Sequence, residues 1–123
     1  MNFGTALRSW STFHQPNAKS SDRESKFFTF DYSGCGNVVQ AALTERLQDW
    51  EMFPRYPFSE QEQDAIQRHY SMGQWSHSPC GGGIHFDRVV CPVCDRQFLF
   101  SYGIHEPNNG LLLLTVEGVV EIN

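Results

Sequence analysis

Two short segments constrain this chain more than anything else in it: His77-Ser-Pro-Cys80 and Cys91-Pro-Val-Cys94. In each, two nitrogen or sulfur donors are separated by two residues, so one tight turn can aim both donor atoms at a single point. Pro79 and Pro92 favour such turns, and Gly81-Gly-Gly83 frees the backbone on leaving the first. Imidazole and thiolate donors at this spacing suit zinc, which takes four of them in a tetrahedral shell. The set His77, Cys80, Cys91 and Cys94 fills that shell. It leaves no position for water, which makes the expected ion structural rather than catalytic. His85 competes with His77 as the nitrogen donor, and Cys35 is a further candidate for the fourth place. With four donors already in the paired segments, Cys35 is expected to lie outside the shell and to be dispensable for metal. The bland alternative is that the thiols are small buried apolar groups.

The ten residues between Cys80 and Cys91 include the strand-like run IHFDRVV, and RQFLFSY follows Cys94. The pattern reads as a hairpin with Cys91–Cys94 at its turn and with Phe98, Phe100 and Tyr102 alternating onto one face. Residues 77–102 therefore resemble the zinc ribbons, in which two knuckles face each other across one ion. The likeness is at motif level and departs from the family at His77, where a fourth Cys is usual. It implies one structural zinc held by His77, Cys80, Cys91 and Cys94.

Hydrophobic spacing predicts helices before that hairpin. Phe3, Leu7, Trp10 and His14 share a face over a helix at residues 5–13 that Thr5 would cap. Val39, Leu43, Leu47 and Trp50 form a stripe over a helix from about Val38 to Trp50. A third helix begins at Ser59, where Ser59 and Glu62 make a capping box, and is expected to stop near Gly73. The aromatic run Phe27–Tyr32 has strand propensity. Strands are further expected at Ile84–Val90, Arg96–Tyr102, Leu111–Val116 and Val119–Ile122, with turns at Asn108-Asn-Gly110 and Glu117-Gly118. The reading is one α+β domain over 1–123: a mainly helical part over 1–73, then a zinc-stabilised and largely antiparallel sheet over 77–123.

A formal net charge of −5 weighs against a phosphate-gripping surface. Residues 1–26 carry a net +2, so the rest of the chain carries −7. The N-terminus lacks a basic stretch followed by an apolar run, so no signal peptide is expected, and no apolar run is long enough to span a bilayer. These features describe a cytoplasmic chain whose cysteines are thiols or metal ligands.

The segment from Glu45 to Asp64 holds six acids against Arg46 and Arg55, and its middle is the tract WEMFPRYPF. Trp50, Phe53, Tyr56 and Phe58 make an anchor patch for a protein partner, rimmed by Glu60 and Glu62. The competing view is a loop that packs its own aromatics. The leading function is a small acidic protein-binding module. Immunity or antitoxin proteins that dock on the basic surface of a toxin have this profile. A nucleic-acid-binding zinc ribbon is the runner-up, with aromatic strands stacking bases. A cysteine hydrolase built on Cys35, ahead of a helix and paired with His85 or His105, is the third reading. His105-Glu106 is expected in a solvated loop.

Overall fold

The computed structural model describes residues 1–8, 16–32, 34, 36, 38–47, 58–72 and 82–123. Seven strands and two helices follow in chain order: β1 (Phe3–Arg8), β2 (Ala18–Lys19), β3 (Phe27–Asp31), β4 (Val38–Ala42), α1 (Leu43–Arg46), α2 (Glu60–His69), β5 (Gly83–Val90), β6 (Gln97–Asn108) and β7 (Leu111–Ile122). The expectation of N-terminal helices followed by a sheet is overturned. The described residues are mostly antiparallel strand with two short helices, so the fold is closer to all-β.

The main sheet runs β1-β7-β6-β5, and β2 also pairs with β7. β5 and β6 pair without interruption from Gly83↔Ile104 to Val90↔Gln97, the hairpin expected from the sequence. β7 is one continuous strand, so Glu117-Gly118 is not a turn. Ser101 pairs with Gly118 but Tyr102 pairs with Val116, and the register shift leaves Glu117 as the extra residue of a bulge. Glycine is required there, because a Cβ on Gly118 would lie 2.7 Å from Ser101 Oγ. The turn at Asn108–Gly110 forms as expected, with Gly110 at φ 80°.

Two layers flank the sheet. On one face β3 and β4 form a separate antiparallel pair, in register from Phe27↔Ala42 to Asp31↔Val38. Val39, Ala41 and Leu43 from this side pack with Phe98, Phe100, Tyr102, Leu114 and Val116 of the sheet. Phe30 meets Phe98 edge-on at 4.9 Å and Phe100 at 5.4 Å, while Phe28 meets Phe100 at 5.7 Å. Such edge-to-face pairs add about 0.5–1.5 kcal/mol each beyond the area they bury.

On the other face α2 seats Ile66, 0% exposed, against Ile84, Phe86, Leu99, Val120 and Ile122. Its N-terminus is closed by the capping box that the sequence predicts: Glu62 N donates to Ser59 Oγ at 3.2 Å, and Ser59 N donates to Glu62 Oε1 at 3.1 Å. The helix stops earlier than Gly73. Ser71 takes the left-handed conformation (φ 52°), and Met72 N donates to the Gln67 carbonyl at 2.8 Å. That bond answers one of the orphan carbonyls of the last turn.

The helix expected from about Val38 to Trp50 starts late: Val38–Ala42 form β4, where Val39 and Ala41 alternate into the core with the period of a strand, and the helical part is α1, Leu43–Arg46; residues 48–50 lie outside the described residues. Of the helix expected at 5–13, residues 5–8 belong to β1 and residues 9–13 lie outside the described residues. Phe3 instead pairs with Ile122, extending the sheet at β7.

Candidate metal centre and binding surface

Cys91 and Cys94 lie on the turn that joins β5 to β6. Cys91 N donates to the Arg96 carbonyl at 2.8 Å and Asp95 N donates to the Cys91 carbonyl at 3.1 Å. Asp95 is left-handed at φ 61°, which lets the chain reverse directly after Cys94. Cys91 is wholly buried and packs with the core, Cys94 is half-buried, and the two are not joined in a disulfide. Pro92 and Val93 form the exposed tip, with Val93 63% exposed.

The β3 side supports this turn. Tyr32 Oη lies 2.6 Å from Cys94 Sγ, and its ring meets Phe98 at 4.8 Å. The Arg96 guanidinium sits over the Tyr32 ring at 5.6 Å. Gly34 is pressed into the same place: a Cβ there would lie 2.8 Å from Arg96 Nη1 and 2.9 Å from Tyr32 Cε2. Gly34 thus lies against the guanidinium of Arg96, two residues beyond Cys94, despite the long sequence separation.

His77, Cys80 and Cys35 lie outside the described residues. Among the described residues no group of three or more His, Cys, Asp and Glu side chains could hold a metal ion. Cys91 and Cys94 therefore stand there as a pair of donors.

His85, the alternative nitrogen donor, is buried near the Gly83 end and stacks on Tyr102 at 5.4 Å. Of the Cys35 hydrolase reading, Cys35 itself lies outside the described residues. His105 and Glu106 are exposed, and Glu106 Oε1 accepts from Gly110 N at 3.1 Å, closing the turn into β7.

Of the expected partner patch, Trp50, Phe53 and Tyr56 lie outside the described residues. Phe58 is 5% exposed and belongs to the core under α2, with the Arg88 guanidinium 5.3 Å above its ring. Its ring is therefore not offered to a partner. Glu62 is also committed internally, to the Ser59 amide and to an ion pair with Arg88. The Ser59 amide, and then Arg88, hold its carboxyl below the ordinary carboxylate range, against the opposing pull of partial burial. Glu60 is exposed and remains available as a rim charge. Arg46 pairs with Asp87 at 2.5 Å, which removes one of the two bases from the acidic segment's free surface. Sequence reasoning missed Tyr32, Gly34 and Arg96, whose only signal was the aromatic run ending at Tyr32.

Among the described residues no helix is long and apolar enough to cross a membrane. Comparison of the chain with protein-family models, curated proteins and solved structures finds no match.

Proposed function

We propose that this chain is a small acidic protein-binding module of the cytoplasm, fastened by one zinc ion at the Cys91–Cys94 turn and docking on a basic protein partner. The observation that carries the reading is that turn. It holds two thiols at two-residue spacing, backed by Tyr32, at the junction of the sheet with the β3–β4 layer. A structural zinc there would tie together the two layers, whose side chains share one core. The remaining donors would come from segments outside the described residues. The paired two-residue spacing names His77 and Cys80 for those places, with His85 and Cys35 as the alternatives for the fourth.

The charge of −5 supports the binding part, since an acidic surface draws and orients a basic partner. The tract from Trp50 to Tyr56 precedes Phe58, whose burial fixes its C-terminal end to the core. Aromatic anchors tethered at one end lose less freedom on docking. An immunity or antitoxin protein covering the basic active-site surface of a toxin fits this profile. The test is affinity capture from the native host with the wild type and with a Phe53→Ala, Tyr56→Ala double mutant. The double mutant should lose the partner while keeping its melting temperature. Undiminished capture would refute the anchor assignment, and retention on heparin at low salt would favour nucleic acid instead.

A further inference from the structure

We propose that Cys91 and Cys94 form a reversible redox pair, oxidised to an intramolecular disulfide by a small disulfide such as oxidised glutathione, and that the Tyr32 hydroxyl favours the reduced form. The inference stands on these two thiols and their neighbours, not on the zinc reading. The turn already has the shape that a disulfide needs. Asp95 N donates to the Cys91 carbonyl at 3.1 Å, and Cys91 N donates to the Arg96 carbonyl at 2.8 Å. A tight turn brings its first and fourth Cα atoms to within about 7 Å, and a disulfide joins residues whose Cα atoms are about 4.4–6.8 Å apart. Both cysteines pack in the same core cluster, together with Tyr32 and Phe98.

Unequal burial assigns the roles. Cys91 is 0% exposed, whereas Cys94 is half-buried on a turn whose tip, Pro92 and Val93, is exposed. A small disulfide therefore reaches Cys94 first. The Cys94 thiolate attacks one of its sulfurs, the S–S bond breaks, and one small thiol leaves. The Cys91 thiolate then attacks the Cys94 sulfur of the mixed disulfide, and the second small thiol leaves. Two protein thiols are oxidised, one small disulfide is reduced, and the two protons end on the small thiols. Tyr32 opposes the change. Its Oη lies 2.6 Å from Cys94 Sγ. Its ring is held by Phe98 at 4.8 Å and by the Arg96 guanidinium at 5.6 Å. A disulfide sulfur has no proton to donate and is a weak acceptor, so oxidation weakens this hydrogen bond and loosens the turn from the residue that follows β3.

The test equilibrates the chain, with a metal chelator present, in buffers of graded reduced and oxidised glutathione. Remaining thiols are alkylated under denaturing conditions and the chain is cut with trypsin. The peptide 89–96 contains Cys91 and Cys94 but neither Cys35 nor Cys80, so it reads this pair alone. In oxidised samples it should escape alkylation and be lighter by two hydrogens, and a dithiol reductant should reverse the change. Cys91→Ser should stop with one glutathione on Cys94, and Cys94→Ser should leave Cys91 unmodified over the same time. Tyr32→Phe keeps the ring and should shift the equilibrium toward the disulfide about threefold or more, the worth of one hydrogen bond. That shift should vanish in concentrated urea. A peptide 89–96 that stays fully alkylated where oxidised glutathione prevails, or that is joined to the peptide carrying Cys35 or Cys80, would overturn the pair. An unchanged equilibrium in Tyr32→Phe would overturn the role of Tyr32. Zinc content of an untreated sample decides the metal reading separately.

Discussion

Replacing Phe30 by Ala measures directly whether the β3–β4 layer is docked on the main sheet. Phe30 is half-buried and makes two edge-on ring contacts, with Phe98 and with Phe100. A fully buried Phe→Ala change costs about 3–5 kcal/mol. Partial exposure reduces this to about 2–3 kcal/mol, of which the two ring pairs supply a large share. Unfolding entropy of about 2.1 cal/mol/K per residue makes 1 kcal/mol worth about 4 °C in a chain of this length. Phe30→Ala should therefore melt about 8–12 °C below the wild type. Thr29, the neighbour on the outward face, is exposed. Thr29→Val keeps the β-branched shape and should stay within about 2 °C. Thermal melts followed by far-UV circular dichroism decide the matter. Should Phe30→Ala melt with the wild type, or the two variants fall together, the alternation of β3 on the sheet would be wrong.

Ligand assignment is tested by zinc content after purification without added metal: Cys80→Ser, Cys91→Ser and Cys94→Ser should lose most of it, while Cys35→Ser should keep about one ion per chain. The opposite result for Cys35 and Cys80 would give the place to Cys35 and refute the paired knuckles. Glu62 supplies a pH signature. Its folded pKa is depressed, by the Ser59 amide first and then by Arg88, so its stabilisation is complete above the unfolded value of about 4.3 and is lost as pH falls through the folded value. The melting-temperature gap between the wild type and Glu62→Gln should be constant from about pH 6 to 8 and close below about pH 4.5. A gap that persisted at low pH would mean that the carboxylate's charge contributes nothing.

Features encoded by neighbouring residues were legible in the sequence. The capping box at Ser59 and Glu62, the hairpin arms around Cys91–Cys94, the turn at Asn108–Gly110 and the shared face of Phe98, Phe100 and Tyr102 all form. Each is specified within a few residues, by cap chemistry, turn chemistry or simple alternation. What misled was spacing that two periods share. Val39 and Leu43 fit one helical face, yet only Leu43 is helical; the partner that drew Val38–Ala42 into a strand, Phe27–Asp31, lies across a loop. Gly118 was read as a turn because glycine marks turns and bulges alike, and the difference lies in Ser101 on the adjacent strand. Of the expected metal set, only Cys91 and Cys94 fall among the described residues, on the turn that the sequence places between the hairpin arms. Phe58 and Glu62 looked like surface residues because nothing local announces Arg88, which covers the ring of one and pairs with the carboxylate of the other.

The central position of β7 has a consequence for how the chain acquires its structure. β7 carries β6 along one edge and both β1 and β2 along the other, so Phe3 waits for Ile122. A ribosome delivers the N-terminal strands long before the strand that receives them. Until residues 111–122 emerge, β1 and β2 have no neighbour in the sheet and their backbone amides must be solvated or chaperoned. Loop closure over nearly the whole chain then sets the pace, and folding of this kind belongs to the slow, millisecond-to-second regime of β-rich topologies. A stop codon or protease cut ahead of residue 111 would remove the strand on which the sheet is assembled, leaving the β5–β6 hairpin with both edges open and the first two strands with nothing to join.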